Sequence, residues 1–174
     1  MKPVTIFFLL GVLFTDSTFA ELADRDKPVH LESDRATVEN TGKSNNKNRV
    51  SVFTGNVVLT QGTMVIRSDK MVIEEDKNGF QNFTAYGDLV SYRQKRDGKN
   101  EYVEGWGERM VFDNKAQKVE FFKQARLRRG TDEVNGEYIS YESETEFFKV
   151  NHQGGANSKK RVHAVIQPKK KNKE

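Results

Sequence analysis

Cysteine is absent from this 174-residue chain, and histidine is scarce. Without cysteine, the protein has no disulfide, no thiol nucleophile and no cysteine-ligated zinc or iron–sulfur cluster. The three histidines, His30, His152 and His163, lack the short spacing that is typical of a metal site. A Gly-x-Ser-x-Gly nucleophile motif is missing as well. The sequence therefore favours a protein that is not an enzyme and that needs no cofactor or metal ion.

Helical periodicity is also missing. No stretch of a dozen residues carries apolar side chains at the i, i+3, i+4, i+7 spacing of an amphipathic helix. Instead, most of the 13 glycines separate short runs of β-branched and apolar residues. Asn78-Gly79 and Asp97-Gly98 are dipeptides that tight hairpins prefer, because both positions tolerate positive φ. This pattern predicts an all-β protein, as a sandwich, jelly roll or barrel.

The longest apolar run is confined to the N-terminus. Val4–Phe14 follows Lys2, and small residues at Thr18 and Ala20 come after it. These features predict a signal peptide over residues 1–20 with cleavage after Ala20. A membrane anchor is the alternative, but this run is too short to span a bilayer.

Positive charge is concentrated at the C-terminus. The formal net charge is +4, and lysine and arginine cluster at residues 159–161 and 169–173. Such a tail can contact nucleic acid or anionic lipid, although we favour a solvated tail without a nucleic-acid partner. We divide the remaining chain into a β-rich core over residues 21–158 and a C-terminal strand with a basic tail over residues 159–174.

A degenerate repeat organises the core. Phe53–Glu74 is predicted to form three short strands separated by corners at Gln61-Gly62 and Ser68-Asp69. The unit of strand, polar corner and strand recurs four times. Each copy presents two apolar residues two positions apart, which point to the same face of a strand. These pairs are Ala36/Val38, Met71/Ile73, Met110/Phe112 and Ile139/Tyr141.

Stacked copies are expected to present a continuous apolar wall. Two interpretations of this wall remain open. It is either an ordinary hydrophobic core, or a groove that holds an acyl chain. Methionines at positions 64, 71 and 110 favour the second interpretation, because methionine adapts to irregular apolar partners.

Three segments carry a resemblance to a known family. Lys27–Asp34, Phe53–Gly62 and Val103–Gly105 resemble the OstA-like family of periplasmic lipopolysaccharide-transport proteins. The resemblance covers roughly residues 27–168. It implies a single twisted β-jelly roll of antiparallel strands, open at both ends, with an apolar interior groove. It also implies a periplasmic location and binding of lipopolysaccharide through the acyl chains of lipid A.

The resemblance further implies a bridge between the inner and outer membranes, which passes lipopolysaccharide to the outer-membrane assembly machinery. The partners would be LptC of the inner-membrane transporter, the N-terminal domain of LptD, and further copies stacked head to tail. The alternative is a structural scaffold, assembled through its strands, without lipid cargo. The implied assembly edge comprises Val29, Leu31, Val162, Ala164 and Ile166. The expected lipid-binding residues are Val29, Leu31, Val57, Leu59, Met64, Ile66, Met71, Ile73, Tyr92, Met110, Phe112, Leu127, Ile139 and Tyr141.

Overall fold

The computed structural model describes residues 24–41, 48–77, 79–151 and 161–168. The predicted signal peptide, most of the basic tail and the boundary predicted at residue 158 lie outside these ranges. The described ranges contain ten β-strands and no α-helix. They therefore hold no helix of the length and apolar character that crossing a membrane requires. The strands are β1 His30–Glu32, β2 Arg35–Thr41, β3 Asn48–Gln61, β4 Met64–Asp76, β5 Gly79–Lys95, β6 Tyr102–Asp113, β7 Lys118–Arg129, β8 Asp132–Glu142, β9 Phe147–Asn151 and β10 His163–Val165.

All ten strands belong to one antiparallel sheet. Strands β3 to β8 each pair with the next strand along the chain. At one end, β1 and β2 both pair with β3. At the other end, β9 and β10 both pair with β8. Among the described strands, those at one end do not pair with those at the other, so the sheet is open at both ends.

A line of irregularities crosses the sheet and bends every long strand at the same place. The pairing register shifts between Thr54 and Val57 in β3, and at matching points in the following strands. The other shifts along this line lie at residues 67–70, 86–90, 106–109 and 122–125. One further shift, between Glu74 and Glu75 of β4, lies away from it. Bulges of this kind bend a strand and increase its twist. We call this feature the corner line.

The corner line divides the sheet into two arms. The first arm consists of β1, β10 and residues 57–67, 90–107 and 125–136. The second arm consists of β2, β9 and residues 48–54, 70–77, 79–86, 109–122 and 138–142. The inner faces of both arms contribute to a single hydrophobic cluster. The molecule is therefore a β-jelly roll made from one folded sheet, which confirms the predicted fold class.

Local sequence explains the bends. Gly55, at φ 80°, and Asn56, at φ 47°, adopt the left-handed conformation at the corner of β3. The amide of Asn56 donates a 2.9 Å hydrogen bond to the carboxylate of Asp34. In β5, the backbone N–H of Asp88 donates a 3.1 Å hydrogen bond to the carboxylate of Asp69. These polar side chains therefore hydrogen-bond groups in the bends themselves.

The predicted corner at Ser68-Asp69 differs from the observed structure. The turn at Gln61-Gly62 joins β3 to β4 as predicted, but Ser68-Asp69 lies within β4, which continues to Asp76. The strand continues because the partner strands β3 and β5 bend at the same line and remain paired on both sides of it. A polar corner in this sequence therefore marks a bend in a long strand rather than the end of a short one.

The predicted repeats are stacked as expected. Ala36, Met71, Met110 and Ile139 lie in one cross-strand row on the second arm. Phe53, Ala85 and Phe121 occupy the same row on the intervening strands. The repeating unit is consequently a pair of strands, because each copy returns through a strand of opposite direction.

Candidate functional site

Three rows of mainly apolar side chains run along the inner face of the sheet. Side chains that face one another across an antiparallel pair form the contacts that stabilise a sheet. Because each row crosses every strand of its own arm, the interior is continuous from one end to the other. The row of the first arm is Leu31, Leu59, Ile66, Tyr92, Gly105, Leu127, Val134 and Ala164. The rows of the second arm are Ala36, Phe53, Met71, Ala85, Met110, Phe121, Ile139 and Val150, and then Val38, Ser51, Ile73, Phe83, Phe112, Val119, Tyr141 and Phe148.

The predicted lipid-binding residues lie together on these inner faces. All of them except Val29 and Leu31 are at most 6% exposed and belong to the same hydrophobic cluster. Leu31 is partly buried against that cluster, whereas Val29 is 39% exposed. The interior is therefore packed with its own side chains, with the arms in contact.

Sequence analysis missed several residues of this interior. Phe121 and Val119 alternate in β7, and this alternation was an available signal, but the neighbouring Phe122 offers an equally apolar outer face. Register against β6 and β8 decides which of these rings faces inward. The buried hydrophobic residues absent from the predicted set are Phe83, Ala85, Val90, Val103, Val119, Phe121 and Ala125.

Aromatic rings fill the middle of the interior. The rings of Phe83 and Phe112 stack with their centroids 5.0 Å apart. Across the interior, Tyr92 of the first arm meets Phe121 of the second arm edge-on, at a centroid distance of 6.0 Å. Aromatic pairs of these geometries contribute about 0.5–1.5 kcal/mol each beyond their buried area. The first contact stabilises the second arm, and the contact between Tyr92 and Phe121 holds the two arms together.

A cavity of about 310 Å³ lies between the ends of the two arms, on the side opposite the corner line. We call this opening the lateral mouth. Its apolar wall is formed by Met64, Val103, Phe112 and Tyr141, and its polar rim includes Arg25, Arg96 and Glu144. An apolar cavity with a few polar groups at its rim is typical of a site for an amphiphilic ligand.

Ion pairs close the rim of the lateral mouth. Arg96 lies in the turn between β5 and β6, and Glu146 in the turn between β8 and β9. Two nitrogens of the Arg96 guanidinium donate hydrogen bonds of 2.9 and 2.7 Å to the two carboxylate oxygens of Glu146. Lys99 adds contacts of 3.2 and 3.0 Å to the same oxygens. Hydrogen bonding by Arg96 is the main cause that lowers the pKa of Glu146 to about 2.

The ends of the sheet carry exposed apolar side chains. Val29 and Val38 are exposed at the N-terminal end, and Phe147, Val162 and Ile166 at the C-terminal end. Among the described strands, β1 and β2 pair only with β3, whereas β9 and β10 pair only with β8. Unpaired strand edges of this kind are templates for the addition of another strand. Most of the predicted assembly edge lies at these two ends.

These features define a class of protein: an open β-jelly roll with an apolar interior and with free strand edges at both ends. The sequence profile of the family described as "LptA/(LptD N-terminal domain) LPS transport protein" matches residues 30–147. The chain belongs to this family of lipopolysaccharide transport proteins, as its sequence motifs predicted. Members of the family are transport proteins, which also confirms the prediction that the chain is not an enzyme.

Individual relatives agree with this assignment. The chain is 26% identical to the lipopolysaccharide export system protein LptH of Pseudomonas aeruginosa, over 95% of this chain and 94% of that protein. It is 29% identical to LptA of Haemophilus influenzae, over 94% and 90% of the two chains. The crystal structure of LptH, described as a periplasmic component of the lipopolysaccharide transport device, superposes with a TM-score of 0.71. That match covers 84% of this chain and 99% of the LptH chain, at 26% identity.

Proposed function

We propose that this protein is periplasmic and holds lipopolysaccharide between its two arms through the acyl chains of lipid A. The observation that carries the proposal is the continuity of the three inner rows from one end of the sheet to the other. Moving acyl chains out of water is favourable, because it lowers the free energy by roughly 25 cal/mol for each Å² of apolar surface buried. The phosphorylated sugars remain in water outside the arms. The name of the relative LptH as a periplasmic component supports the location.

In this proposal, the protein also bridges the inner and outer membranes. Its ends pair with LptC at the inner membrane and with the N-terminal domain of LptD at the outer membrane, and copies stack head to tail. The matching family profile includes the LptD N-terminal domain, which supports pairing between domains of one fold. In such a stack, the C-terminal strand of one copy lies beside the N-terminal strand of the next. The inner row that ends at Ala164 then continues into Leu31 of the following copy.

Site-specific photocrosslinking tests the lipid site. A photoreactive residue at Phe112 or Leu31, both on the inner face, is expected to capture lipopolysaccharide in cells. The matched control positions are Val72 and Val111, which alternate with inner residues and lie on the outer face. Capture from the outer positions but not from the inner ones would contradict the proposed site.

Substitutions at the end of β10 test the stacking. Ile166 is 78% exposed and directly follows β10, two positions after Ala164 of the inner row. Ile166→Lys places a charge where the next copy would pack, so its concentration-dependent assembly should decrease in light-scattering measurements. Val165→Lys introduces the same charge on the opposite face and is expected to assemble normally. Equal assembly of both variants and the wild type would overturn this interface.

A structural scaffold without lipid cargo is the second candidate function. It is favoured by the burial of the interior, where Phe112 is only 4% exposed. Phe112→Asp distinguishes the two. If the interior is only a core, an unpaired buried charge unfolds the protein. If the arms separate to hold lipid, the variant stays folded and loses lipopolysaccharide binding, which circular dichroism and a binding assay can establish together.

A further inference from the structure

The packed interior requires the arms to separate before cargo can enter. The buried inner rows leave a cavity of about 310 Å³, at the lower end of the ~300–1,000 Å³ range of pockets for small molecules. A lipid with several acyl chains needs far more space. The corner line joins the arms on one side, so the lateral mouth is the side on which they can part.

The contacts at the lateral mouth form a compact charged cluster. Arg96 is held by two carboxylates, those of Glu146 on the second arm and Glu101 in its own turn. Its side chain is only 10% exposed, whereas that of Lys99 is 47% exposed. The backbone of this turn is itself fixed, because Arg96 N–H donates to the carbonyl of Glu101 at 2.9 Å and Lys99 N–H donates to the carbonyl of Arg96 at 3.2 Å. The first arm therefore presents a rigidly positioned guanidinium to Glu146.

A second connection lies beside the first. Arg25, in the N-terminal turn of residues 24–27, pairs with Glu144 in the same β8–β9 turn that carries Glu146. The N-terminal turn is anchored to the first arm: the carboxylate of Asp24 accepts a 2.8 Å hydrogen bond from the N–H of Thr63. The amide of Gln61 donates to the carbonyl of Arg25 at 3.0 Å. Both connections thus attach the β8–β9 turn to the first arm across the mouth.

We propose that the cluster of Arg96, Lys99 and Glu146 is a clasp that keeps the lateral mouth closed, and that its release admits acyl chains sideways between the arms. This inference rests on the proposed function, because it assigns a gate to the proposed lipid site. Ion pairs suit this role, since they close the mouth when water is excluded and separate at modest cost when water enters. The apolar wall beneath the clasp becomes accessible as soon as the two turns move apart.

Glu146→Gln is the variant that tests the clasp. It keeps the shape of the side chain and removes the charge that Arg96 and Lys99 share. The matched control is Glu104→Gln, which removes the same charge from a carboxylate that pairs with Arg93 and Arg128 on the first arm alone. Because the chain has no cysteine, spin labels can be attached at single cysteines that replace Asn100 and Lys149, one on each arm.

Double electron–electron resonance without lipid measures the distance between the two spin labels, and therefore between the arms. We expect a narrow distance distribution for wild type and Glu104→Gln, and a broader distribution at longer distances for Glu146→Gln. Uptake of fluorescent lipopolysaccharide should be about fivefold faster for Glu146→Gln than for the control, as expected for a weakened ion pair of intermediate burial. High salt should broaden the wild-type distance distribution and speed its uptake towards the values of Glu146→Gln, because salt screens the ion pairs of the clasp.

The outcomes separate the clasp from the proposed function. Identical distance distributions in all three proteins would overturn the clasp, whatever the lipid does. Altered distances with unchanged uptake would overturn its role as a gate. Altered distances in a protein that never binds lipopolysaccharide would support the clasp as a structural contact and overturn the proposed lipid site instead. Circular dichroism of each variant establishes whether it is folded.

Discussion

The ring of Phe121 occupies the space that Gly105 leaves on the opposite arm. A Cβ atom at Gly105 would stand 2.8 Å from Cε1 of Phe121 and closer still to Cε2 and Cζ, which no real contact allows. Phe121 is fully buried, so its ring has no room to move outwards. The spacing between the arms in the middle of the interior is set by this fit.

Gly105→Ala should therefore destabilise the closed protein by about 1–3 kcal/mol, the usual cost of overpacking a core. Urea denaturation measures the free energy of unfolding. Phe121→Leu in the same chain makes room for the added methyl group, so the cost of Gly105→Ala should fall in the double variant. Strict additivity of the two substitutions would show that the residues do not fit together in this way.

Leu89 adopts φ 84° at the corner of β5 and is 43% exposed. The left-handed region is unfavourable for leucine, whereas asparagine tolerates it well. Leu89→Asn is expected to stabilise the protein by about 0.5–1 kcal/mol in thermal or urea unfolding. Leu89→Ala removes the side chain without relieving the backbone, so it serves as the control. If both variants are equally destabilised, contacts of the leucine side chain outweigh its backbone strain.

Acid should weaken the clasp over a defined pH range. Glu146 has a folded-state pKa of about 2, whereas a glutamate in an unfolded chain has a pKa of about 4.3. As the pH falls, the unfolded chain takes up the proton first, so the stability contributed by Glu146 decreases below about pH 4.5 and is lost as the pH falls through about 2. The difference in unfolding free energy between wild type and Glu146→Gln should shrink across this range. A difference that is constant with pH would contradict the low pKa.

Alkali should act through the buried tyrosines. Burial raises the pKa of Tyr92 far above its usual range, and burial is also the main cause that raises the pKa of Tyr141 to about 12. Above about pH 10 the unfolded chain loses its phenolic protons first, so the stability of the folded protein falls.

Tyr92→Phe tests this effect. The variant loses the hydrogen bond that the Tyr92 hydroxyl donates to Gln94, and is expected to be less stable than wild type near neutral pH. It also lacks one of the phenols that destabilise the folded protein in alkali. The difference in unfolding free energy between Tyr92→Phe and wild type should therefore become smaller above about pH 10. Tyr86→Phe, at an exposed position, controls for the loss of a phenol. A difference in unfolding free energy between Tyr92→Phe and wild type that stays constant as the pH rises above about 10 would contradict the prediction.

Much of the fold followed from local pattern. Apolar pairs two residues apart, such as Met71/Ile73 and Met110/Phe112, predicted strands and their inward faces, because residues i and i+2 of a strand share a side. The absence of helical periodicity excluded covering helices. The motifs in Phe53–Gly62 predicted the family. The lipid-binding and assembly roles of individual residues remain predictions.

Other features depended on contacts between distant residues. Glu144 and Glu146 pair with Arg25 and Arg96 across the lateral mouth. Residues 96 and 146 are 50 positions apart, and no local pattern relates them. They meet only because every strand bends at the corner line and brings the turns of the two arms together.

The amino-acid sequence by itself determined that this chain forms β-strands, which apolar residues of a strand share a face, and where polar residues interrupt the apolar pattern. These properties depend on backbone preferences and on the two-residue period of a strand, both of which are local. Only the tertiary structure decided which inner residues of one arm fit those of the other, as Phe121 fits Gly105, and which charges close the mouth. Such contacts depend on the distance between the arms, which the folding of the whole sheet sets.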